Sequence, residues 1–207
     1  MRKRKGVRSL IGGLGKERSE RTTQVFKLAP DTFIDLKFVN SKIQDFELSA
    51  VAPLATRSLT VAGVAFHDIQ AVSTMHNLTS LTIKDASVKS LDPIAGLRIK
   101  KLTICNCALL GDVKAIETLS VLQALRVVGC NLNRLTLPED SSVAHLTLMN
   151  CEIGELEMTD SQYAGLNACV FTNVSLDEEH LRELRRKVTE GVPVRVENGM
   201  VWVADFK

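Results

Sequence analysis

Apolar residues return along this chain in a fixed frame. Leu36, Leu59, Leu81, Leu102, Leu125, Leu146 and Leu166 follow one another at spacings of 23, 22, 21, 23, 21 and 20 residues. Two residues after each stands a second, mostly apolar position: Phe38, Val61, Ile83, Ile104, Val127, Leu148 and Ala168. Seven residues after the first six stands a third: Ile43, Phe66, Val88, Leu109, Leu132 and Ile153. The local alternation predicts a short strand with one buried face. In Lys101-Leu102-Thr103-Ile104-Cys105, Leu102 and Ile104 point inward while Lys101, Thr103 and Cys105 point outward. The long period predicts stacked turns, each burying its apolar edge against the next, with the strands aligned at about 4.8 Å in a parallel sheet.

The return half of each turn has a different rhythm. Phe66, Ile69, Val72, Met75, Leu78 and Leu81 step by three, as do Val113, Ile116, Leu119, Leu122 and Leu125. A step of three suits a 3₁₀-like return better than an α-helix of 3.6 residues per turn. Later returns are shorter and carry turn residues, as in Pro138-Glu139-Asp140-Ser141-Ser142.

With these residues in place, the chain resembles the leucine-rich repeats, whose pattern is L-x-x-L-x-L-x-x-N/C-x-L. Ile99 to Leu109 and Leu122 to Leu132 carry Cys107 and Cys130 at the Asn/Cys position, and Cys151 occupies it in the next unit. The unit from Thr79 to Leu91 lacks it, and the units of Leu36, Leu59 and Leu166 have Ser41, Val64 and Phe171 there, as degenerate terminal units would. The triplet-stepped returns are similar to the short subclass of about 22 residues, found in phosphatase regulatory subunits and bacterial internalins. The resemblance runs over roughly residues 31 to 174. It implies an α/β fold: a right-handed solenoid with a concave parallel sheet and 3₁₀ or irregular returns. It implies no catalytic residue, because the family shares none.

Three segments are expected: an N-terminal basic arm over 1–27, the solenoid over 28–174, and a C-terminal cap over 175–207. In the cap, Ser175-Leu176-Asp177-Glu178 reads as a capping box. Leu181, Leu184 and Val188 follow as the apolar stripe of a helix that stops at Gly191. Val192 to Val196 and Met200 to Ala204 alternate around Asn198-Gly199, which predicts a β-hairpin covering the sheet's open end. Trp202 falls across from Arg195 on that hairpin, a capping residue before a docking one.

Charge refines this picture. Residues 1–27 hold nine Lys/Arg against Glu17 and Glu20, a surplus of +7; the whole chain stands at +2, so the other 180 residues stand at −5. Three readings of the arm stay open: a nuclear address or nucleic-acid contact through Arg2, Lys3, Arg4, Lys5 and Arg8; an organelle transit segment; or a solvated tail. No apolar run approaches the roughly 20 residues of a membrane span.

The five cysteines form no metal-binding spacing; with no secretory signal in the sequence, a reduced intracellular compartment is expected, cytoplasmic or nuclear, with a mitochondrial one as the alternative. Cys107, Cys130 and Cys151 are expected as small buried residues stacked in a column. Gly12-Gly13-Leu14-Gly15-Lys16 lacks the first glycine and the Ser/Thr of a phosphate loop, and the four histidines are scattered. No cofactor, metal or catalytic residue is assigned.

Outward strand positions carry the functional expectation. The column three residues after each leucine (Val39, Ala62, Lys84, Cys105, Val128, Met149, Cys169) is apolar apart from Lys84. An exposed apolar line marks a partner site. The sequence therefore points to a non-enzymatic scaffold that binds a protein on its concave face. Val128, Met149 and Cys169 serve as anchors, and Lys101, Arg126 and His145 give polar selectivity. The alternative is a subunit of a ribonucleoprotein, ribosomal or organellar, with the arm on RNA.

Overall fold

A computed structural model describes residues 8–11, 34–39, 56–62, 69–107, 110, 113–140, 142–176, 178–191 and 194–197. Successive repeats place one strand each in a single sheet: β1 (Arg8–Ile11), β2 (Ile34–Val39), β3 (Thr56–Ala62), β4 (Ser80–Lys84), β5 (Lys101–Cys105) and β6 (Ala124–Val128). β7 (Asn131–Thr136) follows, then β8 (His145–Glu157), helix α1 (Asp160–Gly165), β9 (Ala168–Ser175), helix α2 (Glu178–Thr189) and β10 (Val194–Glu197). The order is β1-β2-β3-β4-β5-β6-β8-β9-β10, every pair is parallel, and β7 pairs with β8 off this path. This is the leucine-rich-repeat solenoid expected from the sequence. It begins its sheet at Arg8, inside the basic segment.

Register follows the leucines: Leu36, Leu59, Leu81, Leu102, Leu125 and Leu146 face one another strand by strand. Leu59 through Leu146 are almost wholly buried, as are Val61, Ile83, Ile104, Val127 and Leu148 two residues on. The returns are wound as their three-residue step predicts. The amide of Val72 donates to the Ile69 carbonyl, Met75 to Val72 and Leu78 to Met75, at 2.8 to 2.9 Å. Val113, Ile116, Leu119 and Leu122 repeat this pattern, and so do Leu91, Ile94 and Leu97. Each i to i+3 bond turns the next apolar side chain to the same inward side, so the 3₁₀ path buries every third residue.

Each strand ends at a corner. Asp85, Asn106, Asn150 and Asn173 adopt φ of 51 to 53°, and Gly129 fills the same column at φ 61°. Asn and Asp accept this left-handed conformation more readily than other side chains. Across the turns, Asn106 Nδ2 donates to Asp85 Oδ1 and Asn173 Nδ2 to Asn150 Oδ1, both at 2.9 Å. One residue further the chain points inward with Ala86, Cys107, Cys130, Cys151 and Val174. The three cysteines are buried, and each thiol donates to the carbonyl two residues before it. The expected cysteine column is therefore a packing feature that also caps strand carbonyls.

Two expectations are corrected. In the last repeat Cys169, not Leu166, lies opposite Leu146, and Phe171 lies opposite Leu148. Phe171 is thus a core residue and not the corner residue. Leu166 sits three residues before its strand position, equivalent to Leu78, Ile99, Leu122 and Val143, all buried. Second, Ser175 ends β9 and α2 begins at Glu178, so the capping box is not centred on Ser175. A capping box does form at Thr159-Asp160-Ser161-Gln162: Thr159 N donates to Gln162 Oε1 (2.7 Å) and Gln162 N to Thr159 Oγ1 (3.3 Å). At the C-terminal end, Val194–Glu197 extends the sheet parallel to β9, on the edge the cap was expected to cover. The Asn198-Gly199 turn, Met200 to Ala204 and Trp202 lie outside the described residues.

The later turns gain a branch of the sheet. β8 bends at Asn150, and its distal half pairs with β7, Leu132 opposite Ile153 and Leu135 opposite Leu156. α2 closes the end through buried Leu184 and through Lys187. The Lys187 ammonium meets Asp160 and Glu190 and lies 5.6 Å from the Tyr163 ring centroid.

Candidate interaction surface

Register fixes three solvent-facing columns on the sheet. Ser58, Ser80, Lys101, Ala124, His145 and Ala168 make the first; Thr60, Thr82, Thr103, Arg126, Thr147 and Val170 the second. Ala62, Lys84, Cys105, Val128, Met149 and Thr172 make the third, whose end members Ala62 and Thr172 are buried. Alternation along each strand sends these side chains outward, opposite the leucine rows.

Five of the six expected partner-binding residues sit on this face. Lys101, Arg126 and His145 are exposed, while Val128 and Met149 are half-buried. Val128 and Met149 are register neighbours, and the Arg126 guanidinium lies 3.6 Å from the Met149 sulfur. Cys169 is the exception. It is 1% exposed, and burial pushes its thiol up to about 12, so it is a core residue and no anchor. Its outward place belongs to Thr172, opposite Met149, and half-buried Val170 stands beside it in the second column. Val170 was missed because the frame was taken from Leu166. The alternation Cys169-Val170-Phe171 carried the signal that would have found it.

Cys105 is the partly exposed cysteine of the face. Burial raises its thiol above the usual range, against the pull of Lys84 and Arg126, so it is a neutral thiol near pH 7. Of the expected nucleic-acid residues, Arg8 opens β1 opposite Ile34, whereas Arg2, Lys3, Arg4 and Lys5 lie outside the described residues.

A cleft of about 920 Å³ lies between α2 and the β7–β8 sheet, lined by Thr136, Glu155, Glu157, His180 and Glu183 among others. Three of its acids, Glu155, Glu157 and Glu183, are engaged. Arg134 donates to Glu157 and lies 3.6 Å from Glu155, and Arg186 holds Glu183 at 2.6 Å. These guanidiniums hold the Glu157 and Glu183 carboxyls below their ordinary value, so both are anionic at neutral pH. No group of acidic, His and Cys residues among the described residues is arranged to hold a metal ion, and no described helix is long and apolar enough to cross a membrane.

The solenoid geometry has a counterpart among solved structures. The chain is similar to an internalin C2 from Listeria monocytogenes, with a TM-score of 0.52 at 20% identity over 70% of this chain. It spans 62% of that structure. At this identity the likeness establishes the leucine-rich-repeat fold and nothing about partners. No protein-family model and no curated protein sequence matches the chain.

Proposed function

We propose that this protein is a non-enzymatic scaffold that binds a protein partner across the solvent face of its sheet. One observation carries the reading: Val128 and Met149 lie side by side on adjacent strands, half-buried and outward, with half-buried Val170 on the next strand in register with Thr147 and exposed Arg126 against Met149. An apolar centre rimmed by polar and cationic side chains is the composition of an interface. Met fits itself to a partner's shape, and an Arg beside it adds directional donors. The free state of all five cysteines supports a reducing, intracellular setting.

The test is site-directed photocrosslinking in cell lysate. A crosslinker at Thr147 on the face should capture a discrete protein, and one at Glu117 on a return should not. Met149→Ala and Arg126→Glu should each abolish the Thr147 capture while the circular dichroism spectrum is unchanged. Equal capture by both positions, or capture indifferent to both variants, refutes the reading. Capture lost on nuclease treatment, or on changing Arg2, Lys3, Arg4 and Lys5 each to Glu, would put RNA binding in its place.

A further inference from the structure

Charge is segregated on this molecule in a way its net value hides. The face columns from β3 to β9 carry no acidic residue and no aromatic residue. They carry Lys84, Lys101 and Arg126, all exposed, and Lys100 is exposed immediately before β5. None of these four cations enters an ion pair among the described residues. The acid nearest to them in register, Asp85, sits at the corner after Lys84, where its Oδ1 accepts from Asn106. The acids collect elsewhere: Glu152, Glu155 and Glu157 on β8 beyond its bend, and Asp160, Glu183 and Glu190 around the helices. This basic face therefore stands on a body that is net acidic outside residues 1–27.

Resting on the interface reading above, we infer that the partner presents an acidic segment with an apolar residue. Its carboxylates lie over Lys84, Lys101 and Arg126, and its apolar side chain lies on Met149 and Val170. The three cations occupy three successive strands, β4, β5 and β6, and one column each, so they spread over about 10 Å across the strands and about 13 Å along them. That exceeds the Debye length of about 8 Å at physiological salt, so each acts by direct contact with successive carboxylates of one short extended segment. The Val128–Met149 line begins on the same β6 strand that carries Arg126, so charge and apolar contact are contiguous. Single-stranded nucleic acid is a poorer match, because the face offers no Phe, Tyr or Trp ring, only the His145 imidazole, and an apolar line that a phosphate backbone cannot use.

The test uses the full chain and fluorescence anisotropy with three labelled probes: a Glu/Leu oligopeptide, its Lys/Leu counterpart and an oligouridylate. The Glu/Leu peptide should bind, weaken with added salt, and lose roughly tenfold or more in affinity on Lys101→Glu/Arg126→Glu. The neutralising pair Lys101→Gln/Arg126→Gln should give a smaller loss of the same sign. It also guards against misfolding of the reversed variant. A variant with Arg2, Lys3, Arg4 and Lys5 each changed to Glu should keep the binding. The inference is overturned if the N-terminal variant loses binding while the face variants keep it. Preference for oligouridylate overturns it too, as does self-association in sedimentation that the face variants abolish, which would make the occupant a second copy. If Met149→Ala abolishes the lysate crosslink but the charge variants leave it intact, the interface reading stands and the acidic partner alone fails.

Discussion

Gly129 interrupts the corner ladder, and completing it should stabilise the solenoid. The column runs Asp85, Asn106, Gly129, Asn150, Asn173, all left-handed, with side-chain bonds linking the first two and the last two members. Gly129 has φ 61°, and a Cβ there would lie 2.4 Å from Asn106 Oδ1, the tip of an exposed side chain that must shift and strain its bond to Asp85. Gly129→Asn keeps a tolerated conformation and restricts the unfolded chain, a gain of about 0.5–1 kcal/mol. One new amide bond to a neighbouring rung adds about 0.5–1 kcal/mol, against the repositioning of Asn106 and its Asp85 bond. The net expectation is about 1 kcal/mol of stabilisation, or about 2–4 °C in Tm for a chain of this size. Gly129→Val meets the same Asn106 oxygen with a β-branched side chain in the left-handed region and gains no bond. It should destabilise by about 2 kcal/mol. Urea denaturation followed by circular dichroism, with equal slopes for the three proteins, reads both values. The order Asn above Gly above Val is required. A Gly129→Asn protein no more stable than Gly129→Val would show that the ladder contributes nothing at this rung.

Other consequences are open to simpler assays. Gly154→Ala should destabilise by about 1–3 kcal/mol, since its Cβ would stand 2.6 Å from the Asn133 backbone carbonyl, which cannot swing aside; an unchanged or higher urea midpoint would refute the close β7–β8 approach. In native protein a thiol reagent should modify Cys105 quickly and the four buried cysteines slowly, and Cys105→Ser should remove the fast phase. Lys187 holds the Asp160 carboxyl below its ordinary value, so the folded pKa is depressed. The stability this gives is present above the unfolded value near 3.8 and lost as pH falls through the folded one. The fall in Tm between pH 5 and pH 3 should therefore be smaller in Asp160→Asn than in the parent, and an identical fall would disprove the coupling.

How much of this was legible beforehand depends on how many residues share each job. The period, the inward Leu-x-Leu pairs and the three-step returns recur in turn after turn, so one local misfit does not hide them. They determined the fold, the cysteine column and the outward placement of five of the six proposed contact residues. The last repeat was misread because Leu166 and a strand-position leucine look alike in sequence, and both positions are buried. Only the pairing of Leu146 with Cys169 distinguishes them, and that shift of three residues turned Cys169 inward and brought Val170 out. β7 and the distal half of β8 were hidden because Leu132 to Leu135 and Ile153 to Leu156 step by three within a strand, where alternation calls for two. The parallel pairing of β10 with β9 has no local signal, because it depends on the free edge of β9, a fact of the assembled sheet. The sequence by itself determined the repeat and its inward face, since these rest on local spacing repeated many times. The tertiary structure alone decided which cations and apolar side chains share a surface, because that depends on register between strands more than twenty residues apart.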